Sequence, residues 1–171
     1  MNPENVVIKK DVTIGPNSCI GTQGVTGPRY FIVVGRKVLV KSRGKLIINE
    51  NVKIGALNSI NLGYFKDNAT VIEKNVVTGS LVVIGHDTFI GESSVLSGDV
   101  TLAGHVTVGK SCRFGVGSKI RNRVKIGDKA IISMGAVVTQ DVPPGKRVTG
   151  NFAIDHDIFI QNLKKSLNKP L

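Results

Sequence analysis

The chain has 171 residues, which suits one well-buried domain, and its 20 glycines, lack of tryptophan and 5% aromatic content indicate an aliphatic core with tight corners. No apolar run is long enough to span a membrane, and residues 1–11 lack the regions of a signal peptide, so a cytoplasmic location is expected. The formal net charge of +11 favours an anionic partner, while sparse aromatic residues and scattered cations argue against a nucleic-acid-binding protein.

The first element in chain order is a short block of six-residue repeats, in which Ile8, Ile14 and Ile20 are evenly spaced. The next member, Ile48, does not follow at a multiple of six residues. About residues 26–47 are therefore predicted to leave the repeat as a loop insertion. Within it, the segment YFIVVGRKVLVK predicts a hairpin around Gly35.

The repeat then continues to residue 142 with two apolar or small positions in each hexad. The first set is aliphatic or aromatic, as in Ile48, Ile54, Ile60, Ile72, Ile84, Ile90, Leu96, Leu102, Val108, Phe114, Ile120, Ile126, Ile132 and Val138. The second set is small or β-branched and comprises Thr88, Ser94, Val100, Val106, Cys112, Ser118, Val124, Ala130, Ala136 and Val142. Lys66, within GYFKDNAT, places a charge where an aliphatic residue belongs, which predicts a local bulge.

This period predicts an all-β solenoid, a parallel β-helix that occupies residues 1–150. Six residues at about 3.3 Å each form a short strand plus a corner, so three hexads close a triangular coil. Positions 18 residues apart then stack roughly 4.8 Å from one another. Sequence separation can therefore be converted into distance along the stack.

Residues 151–171 predict a C-terminal helical cap over the open end of the solenoid. Its apolar residues recur at four-residue spacing, and charged residues flank it in the order expected for a helix. The residues concerned are Phe159, Leu163 and Leu167 for the apolar positions, Asp155 or Asp157 for the N-cap, His156 for the helix start, and Lys164 and Lys165 for the last turn. Cys19 and Cys112 are too few for a disulfide framework and are expected to be small buried residues.

The repeat resembles the hexapeptide acyltransferase family over nearly the whole chain. ENVKIGALNSINLG and VVIGHDTFIG are similar to the lipid A pathway branch, which N-acylates a UDP-linked glucosamine. SGDVTLAGHVTVG and MGAVVTQDVPPG are similar to acetyl-CoA-dependent acetyltransferases of sialic acid and amino sugars. The resemblance implies a left-handed coil, a homotrimer with sites between subunits, and His86 as the catalytic base. Val95 and Gly79 depart from the acetyltransferase branch, which leaves the acceptor open.

Acyl transfer from a thioester needs a base for the attacking nucleophile and a donor for the developing oxyanion. His86 lies at a hexad corner and suits the first task, and Asp87 could orient or stabilise its imidazole. One coil further on is Gly104, whose backbone N–H is a candidate oxyanion donor. The alternatives are a surface or trimer-packing histidine at position 86 and a simple corner glycine at position 104.

Three further residues are assigned by their position in the repeat. His105 is a possible acceptor contact, with a surface position as the alternative. Lys146 and Arg147 follow a Pro-Pro-Gly turn, and three coils below His86 would bring the phosphates of an extended donor near them. The alternative for this pair is two solvated cations beside a turn.

The resemblance together with these residues predicts transfer of an acyl group, most simply acetyl from coenzyme A, to an amino or hydroxyl group. A sugar as acceptor, in particular a nucleotide-linked sugar for surface polysaccharide, is implied by the resemblance alone. One alternative replaces coenzyme A with acyl carrier protein, and another is a non-catalytic trimeric scaffold. A zinc-dependent carbonic anhydrase-like enzyme is disfavoured because only His86 and His105 lie near each other. No metal is predicted to be required.

Overall fold

A computed structural model describes residues 3–22, 29–33, 36–40, 44–150 and 155–167. Residues 3–5 form a single 3₁₀ turn, and nearly every later element is a short strand. The strands form three parallel sheets that wrap around one apolar core, and each turn of the chain contributes one strand to each sheet in succession. The structure is therefore a three-sided parallel β-helix.

The strands are numbered β1 to β21 along the chain, and members of each sheet are given in their hydrogen-bonded order. The first sheet contains β1 (Val6–Ile8), β6 (Lys45–Ile48), β9 (Ala69–Ile72), β12 (Phe89–Ile90), β15 (Thr107–Val108) and β18 (Lys125–Ile126). The second contains β2 (Thr13–Ile14), β7 (Lys53–Ile54), β10 (Val77–Thr78), β13 (Val95–Leu96), β16 (Arg113–Phe114), β19 (Ile131–Ile132) and β21 (Arg147–Val148). The third contains β3 (Cys19–Thr22), β8 (Ser59–Asn61), β11 (Val83–Ile84), β14 (Thr101–Leu102), β17 (Lys119–Ile120) and β20 (Val137–Val138).

Both sets of repeat positions from residue 84 to residue 142 point into the core. The aliphatic set is no more than 7% exposed, and the small or β-branched set is no more than 3% exposed. Burying an aliphatic side chain of this size contributes about 1.5–3 kcal/mol relative to leaving it in water. The hexad pattern therefore holds the solenoid together as well as setting its period.

The corners between sheets repeat one backbone conformation, with a residue in the left-handed region. Asp87 has φ 58°, His105 has φ 59° and Arg123 has φ 66°. We call the turns at residues 85–88, 103–106 and 121–124, which join the third sheet to the first, the His86 corner. The turns at 55–58, 79–82, 97–100, 115–118 and 133–136, which join the second sheet to the third, are the apolar corner.

The irregularity predicted at Lys66 is a six-residue enlargement of one coil. Val83 pairs with Thr101, 18 residues later, whereas Ser59 pairs with Val83, 24 residues later. The extra length lies between β8 and β9, where the chain leaves the stack and returns. Tyr64, within this excursion, is only 7% exposed. The segment is therefore packed against the solenoid.

The loop insertion contains the predicted hairpin. Strands β4 (Arg29–Val33) and β5 (Arg36–Val40) are antiparallel, and Val33 pairs with Arg36. Gly35, the predicted hairpin centre, lies outside the described residues. The stack resumes with β6 at Lys45, which falls inside the range of about 26–47 predicted for the insertion.

The C-terminal helix α1 spans His156–Leu167. The N–H groups of Asp157 and Ile158 both donate to Asp155 Oδ1, at 3.0 and 3.3 Å, so Asp155 is the N-cap. The described helix side chains are exposed apart from half-buried Ile160, and a role as cap of the solenoid stays a prediction. No helix among the described residues is long and apolar enough to cross a membrane.

The two cysteines differ in their surroundings. Cys112 is buried, as expected, and burial raises the pKa of its thiol. Cys19 is exposed, so the expectation of burial is wrong for this residue. It directly precedes buried Ile20 in β3 and therefore faces away from the core, at the position that Ser59 holds in the paired strand β8.

Candidate active site

The candidate site is built around His86, the second residue of a turn at the His86 corner. Its Nδ1 lies 2.7 Å from Asp87 Oδ2, and the side chains are 15% and 6% exposed. A carboxylate at this distance favours the tautomer with the proton on Nδ1, so Nε2 is the unprotonated nitrogen of the ring. The pair can therefore act as a general base whose protonated form is stabilised by Asp87.

Two neighbouring segments hold Asp87 in place. The N–H of Tyr64 donates to Asp87 Oδ1 at 2.9 Å, and the N–H of Asp87 donates to Thr70 Oγ1 at 3.0 Å. The Tyr64 ring also lies beside the imidazole, with 5.4 Å between the His86 and Tyr64 ring centroids. The excursion of the enlarged coil thus orients the carboxylate that orients the histidine.

Tyr64 was not identified from the sequence. The signal available was GYFKDNAT, a break in the repeat less than two coils before His86. The break predicts that the chain leaves the stack but not where it returns, because that depends on packing of the Tyr64 ring. Sequence spacing therefore could not place it.

His105 lies one coil after the His86–Asp87 pair. Its Nε2 is 3.5 Å from Asp87 Oδ2, and its ring meets the His86 ring edge to face, with centroids 4.9 Å apart. Its side chain is 40% exposed. The structure therefore brings His105 together with His86 and Asp87 while leaving it accessible from solvent.

Gly104 lies directly against the imidazole of His86. A Cβ added at this position would lie 2.6 Å from His86 Nε2, so any larger residue would displace the ring. Within the described part of the chain, the Gly104 N–H donates no hydrogen bond, whereas the N–H of neighbouring His105 donates to His86 O at 2.8 Å. The Gly104 amide is thus beside the candidate base and uncommitted to the backbone ladder.

A cavity of about 370 Å³ opens at this corner. Its lining includes His86, Gly104 and His105, and it extends one coil further to Asn122 and Arg123. Apolar walls and a few convergent polar groups are typical of small-molecule sites.

Lys146 and Arg147 are not brought to this corner. Arg147 belongs to β21 of the second sheet, and its Nε donates to Ser133 Oγ at 3.1 Å. The prediction placed the pair at the foot of the His86 column, but the chain has by then passed the first sheet, where Val142 bridges Ile126. Arg147 therefore lies on the second sheet, opposite the His86 corner, and a contact of the pair with the donor stays a prediction.

The cluster of His86, Asp87 and His105 is the one group within the described ranges that could hold a metal ion. Single ligand atoms of His86, Asp87 and His105 all lie within 4.8 Å of one another. The short contact of His86 Nδ1 with Asp87 is the geometry of a hydrogen-bonded dyad, which needs no metal to act as a base. The absence of a metal requirement stays a prediction.

Comparison with known proteins gives one repeat family and several relatives. A model described as the hexapeptide repeat of succinyl-transferase matches residues 105–140. A UDP-3-O-acylglucosamine N-acyltransferase of Herminiimonas arsenicoxydans is 30% identical over 152 residues, 84% of this chain and 43% of that protein. The enzyme of the same name from Campylobacter concisus (strain 13826) is 33% identical over 120 residues, 70% of this chain and 37% of that protein. The chain thus spans less than half the length of these curated relatives.

Solved structures agree with the fold. The structure of a Francisella novicida UDP-N-acetylglucosamine acyltransferase matches with a TM-score of 0.67 and 28% identity, over 85% of this chain and 56% of that one. The predicted fold class, a left-handed parallel β-helix of hexapeptide repeats with a loop insertion and a C-terminal helix, is confirmed. The resemblance to hexapeptide-repeat acyltransferases is confirmed with it.

Proposed function

We propose that this hexapeptide-repeat β-helix is an acyltransferase that moves an acyl group from a thioester to the amine of a nucleotide-linked sugar. The observation that carries the proposal is the His86–Asp87 pair, with Nδ1 and Oδ2 2.7 Å apart, facing a cavity and lying on Gly104. The names of the curated relatives, both acting on a UDP-linked acylglucosamine, support this substrate class.

The reaction follows from these groups. The acceptor amine attacks the thioester carbonyl carbon while its proton passes to His86 Nε2, and Asp87 stabilises the resulting imidazolium. The carbonyl π electrons move to oxygen, where the Gly104 N–H can donate to the oxyanion. Collapse re-forms the carbonyl and breaks the C–S bond, and the proton on His86 passes to the departing thiolate.

The donor is the point on which the sequence prediction is revised. Acetyl coenzyme A was the leading prediction, with acyl carrier protein as the alternative. The names of the relatives favour the lipid A type of N-acylation, and with it the carrier protein. The +11 net charge supports an acidic protein as donor. We therefore propose acyl carrier protein as the donor and coenzyme A as the competing candidate.

Assembly and location are part of the same proposal. A homotrimer would place a second chain beside the open cavity at the His86 corner and complete its wall. The reaction is placed in the cytoplasm, where acyl thioesters and nucleotide-linked sugars meet. Activity that falls on dilution below the dissociation range of the trimer would support sites between subunits.

The test is a donor-by-acceptor assay on the purified protein. Acyl carrier protein and coenzyme A thioesters of several chain lengths are each offered with UDP-linked amino sugars. His86→Ala should lower kcat by about 10²- to 10⁴-fold with little change in Tm, because it removes a general base from a corner. His156→Ala, an exposed histidine at the start of α1, is the matched control and should retain activity.

Retained activity in His86→Ala would remove this residue from the mechanism. If no donor and acceptor pair supports turnover, and His86→Ala leaves thioester binding unchanged, the non-catalytic trimeric scaffold replaces the enzyme.

A further inference from the structure

A row of cations crosses the His86 corner in the second coil after the candidate base. The sequence KIRNRVK alternates cations with other residues from Lys119 to Lys125. Lys119 is the first residue of β17 in the third sheet, and Lys125 is the first residue of β18 in the first sheet. Arg121 and Arg123 lie between these two strands. Arg121, Arg123 and Lys125 are exposed and Lys119 is half-buried, so the corner carries a basic belt.

The two arginines of the belt lack acidic partners among the described residues. Lys119, by contrast, forms an ion pair with Asp99 at 2.8 Å. Asp141, one coil below Arg123, accepts the Lys125 backbone N–H at 2.8 Å. Arg121 and Arg123 are both exposed and have no side-chain hydrogen bond or ion pair within the described ranges. Their charge is therefore open to an external anion.

The belt is continuous with the candidate active site. Arg123 lines the same cavity as His86 and His105. Asp87, His105 and Arg123 are successive left-handed corner residues, each one coil apart, so the backbone of Arg123 lies about 10 Å along the stack from that of Asp87. A ligand that reaches His86 can thus extend along the corner to the arginines.

We infer that Arg121 and Arg123 bind a phosphate group of a substrate held at the His86 corner. A guanidinium presents paired N–H donors that match phosphate oxygens, and arginine stays charged at any physiological pH. The inference rests on the proposed function only for the identity of the ligand. Both proposed substrates carry phosphate, as the phosphopantetheine of the donor or the diphosphate of the nucleotide sugar.

The experiment measures binding without turnover. Isothermal titration calorimetry at fixed low salt is run with inorganic pyrophosphate, coenzyme A and UDP on the unaltered chain and on Arg121→Gln/Arg123→Gln. The double variant should weaken at least one of these ligands by about 10- to 100-fold, through loss of one or two charge-assisted contacts. Arg121→Lys/Arg123→Lys should keep part of the affinity.

Lys53→Gln/Arg113→Gln is the matched control. It removes two charges from exposed residues of the second sheet, opposite the His86 corner, and should leave binding unchanged. Weakening confined to coenzyme A assigns the phosphate to the donor, and weakening confined to UDP assigns it to the acceptor. Weakening of pyrophosphate, or of both larger ligands, supports the belt as a general phosphate site.

The inference is overturned if the unaltered chain binds none of the three ligands, if the arginine variant binds them as well as the unaltered chain, or if the control loses as much affinity as the variant. Binding through the belt without acyl transfer from any thioester would keep the inference and reject the proposed enzyme. Acyl transfer and ligand binding that are both unchanged in the arginine variant would reject the inference and keep the proposed enzyme.

Discussion

The His86 corner and the apolar corner border the same sheet and share a backbone turn, yet they present opposite chemistry. The left-handed positions are Asp87, His105 and Arg123 at the first and include Leu57 and Leu81 at the second. Those two leucines are 52% and 54% exposed. A left-handed residue that is neither glycine nor asparagine is uncommon in general, but ten such residues occur in the described part of this solenoid.

The comparison shows that the turn itself does not create a site. It projects whichever side chains the sequence supplies, at a spacing set by the coils. At the His86 corner, stacked polar residues are close enough to share Asp87. At the apolar corner, the one acidic residue in the left-handed position, Asp99, pairs with Lys119 instead.

The aspartates of the two corners provide the sharpest test. Asp87→Asn should lower kcat by about 10²-fold or more. An amide can donate as well as accept a hydrogen bond, so it does not fix the proton of His86 on Nδ1, and it carries no charge to stabilise the imidazolium. Asp99→Asn changes the same residue type in the same backbone conformation and should leave kcat within about twofold of the unaltered value, since its ion pair is exposed. Steady-state kinetics with saturating substrates compare them. Equal losses in the two variants would show that the corner backbone, not the dyad, had been disturbed.

The glycines that precede the left-handed residues His105 and Asp99 give the second test. Gly104→Ala should lower kcat by roughly 10- to 100-fold, because its Cβ would lie 2.6 Å from His86 Nε2 and displace the imidazole. Gly98→Ala is equivalent at the apolar corner, where a Cβ would meet the Ser80 carbonyl oxygen at 3.4 Å. It should be nearly silent. Thermal melts accompany the kinetics, and a large fall in Tm for Gly104→Ala alone would point to lost folding instead of a moved ring.

A third, smaller effect is expected at His105. His105→Ala should raise the acceptor KM by about 10-fold, as a lost contact with a polar ligand would, and change kcat less. Leu81→Ala, at a left-handed position of the apolar corner, is the control. The assay varies the acceptor at saturating donor. A fall in kcat with an unchanged KM would instead assign His105 to support of Asp87.

The smallest effect is expected at Lys146 and Arg147. If the pair bound the donor phosphates, as counting coils from His86 indicates, the double alanine variant would raise the donor KM by about 10-fold. Because Arg147 lies on the second sheet, we expect the donor KM to rise by less than about twofold. That small rise would come from the lower net positive charge of the variant. Varying the donor at saturating acceptor measures it. A 10-fold rise would restore the sequence prediction and require the donor to cross to that side, as a neighbouring subunit could arrange.

The core and several positions of the candidate site could be predicted from the sequence alone. The period from Ile84 to Val138 predicted the core, because a buried position cannot drift without exposing its apolar surface. Gly104 followed from His86 by one coil length, and Asp87 from simple adjacency. The same counting applied to Asp87 reaches His105 and Arg123, so the belt was within reach of the sequence.

The rest depends on segments where the count fails. The enlarged coil shifts the pairing of Ser59 from 18 to 24 residues, and no period predicts that Tyr64 packs back on His86. At the other end, the separation between paired residues falls from 18 at Val138 to 16 at Val142, and Arg147 then lies on the second sheet. In both places long-range packing, not local spacing, decides where a side chain lies.

The excursion that holds Asp87 has a consequence for the order in which the molecule is assembled. Asp87 is positioned by Tyr64 and Thr70, which precede it by 23 and 17 residues and belong to the preceding coil. During folding, the His86–Asp87 pair therefore cannot be oriented until both the enlarged coil and the coil that follows it have formed. The proposed catalytic pair would therefore become oriented in a single step of folding, when the coil that carries His86 and Asp87 packs on the enlarged coil.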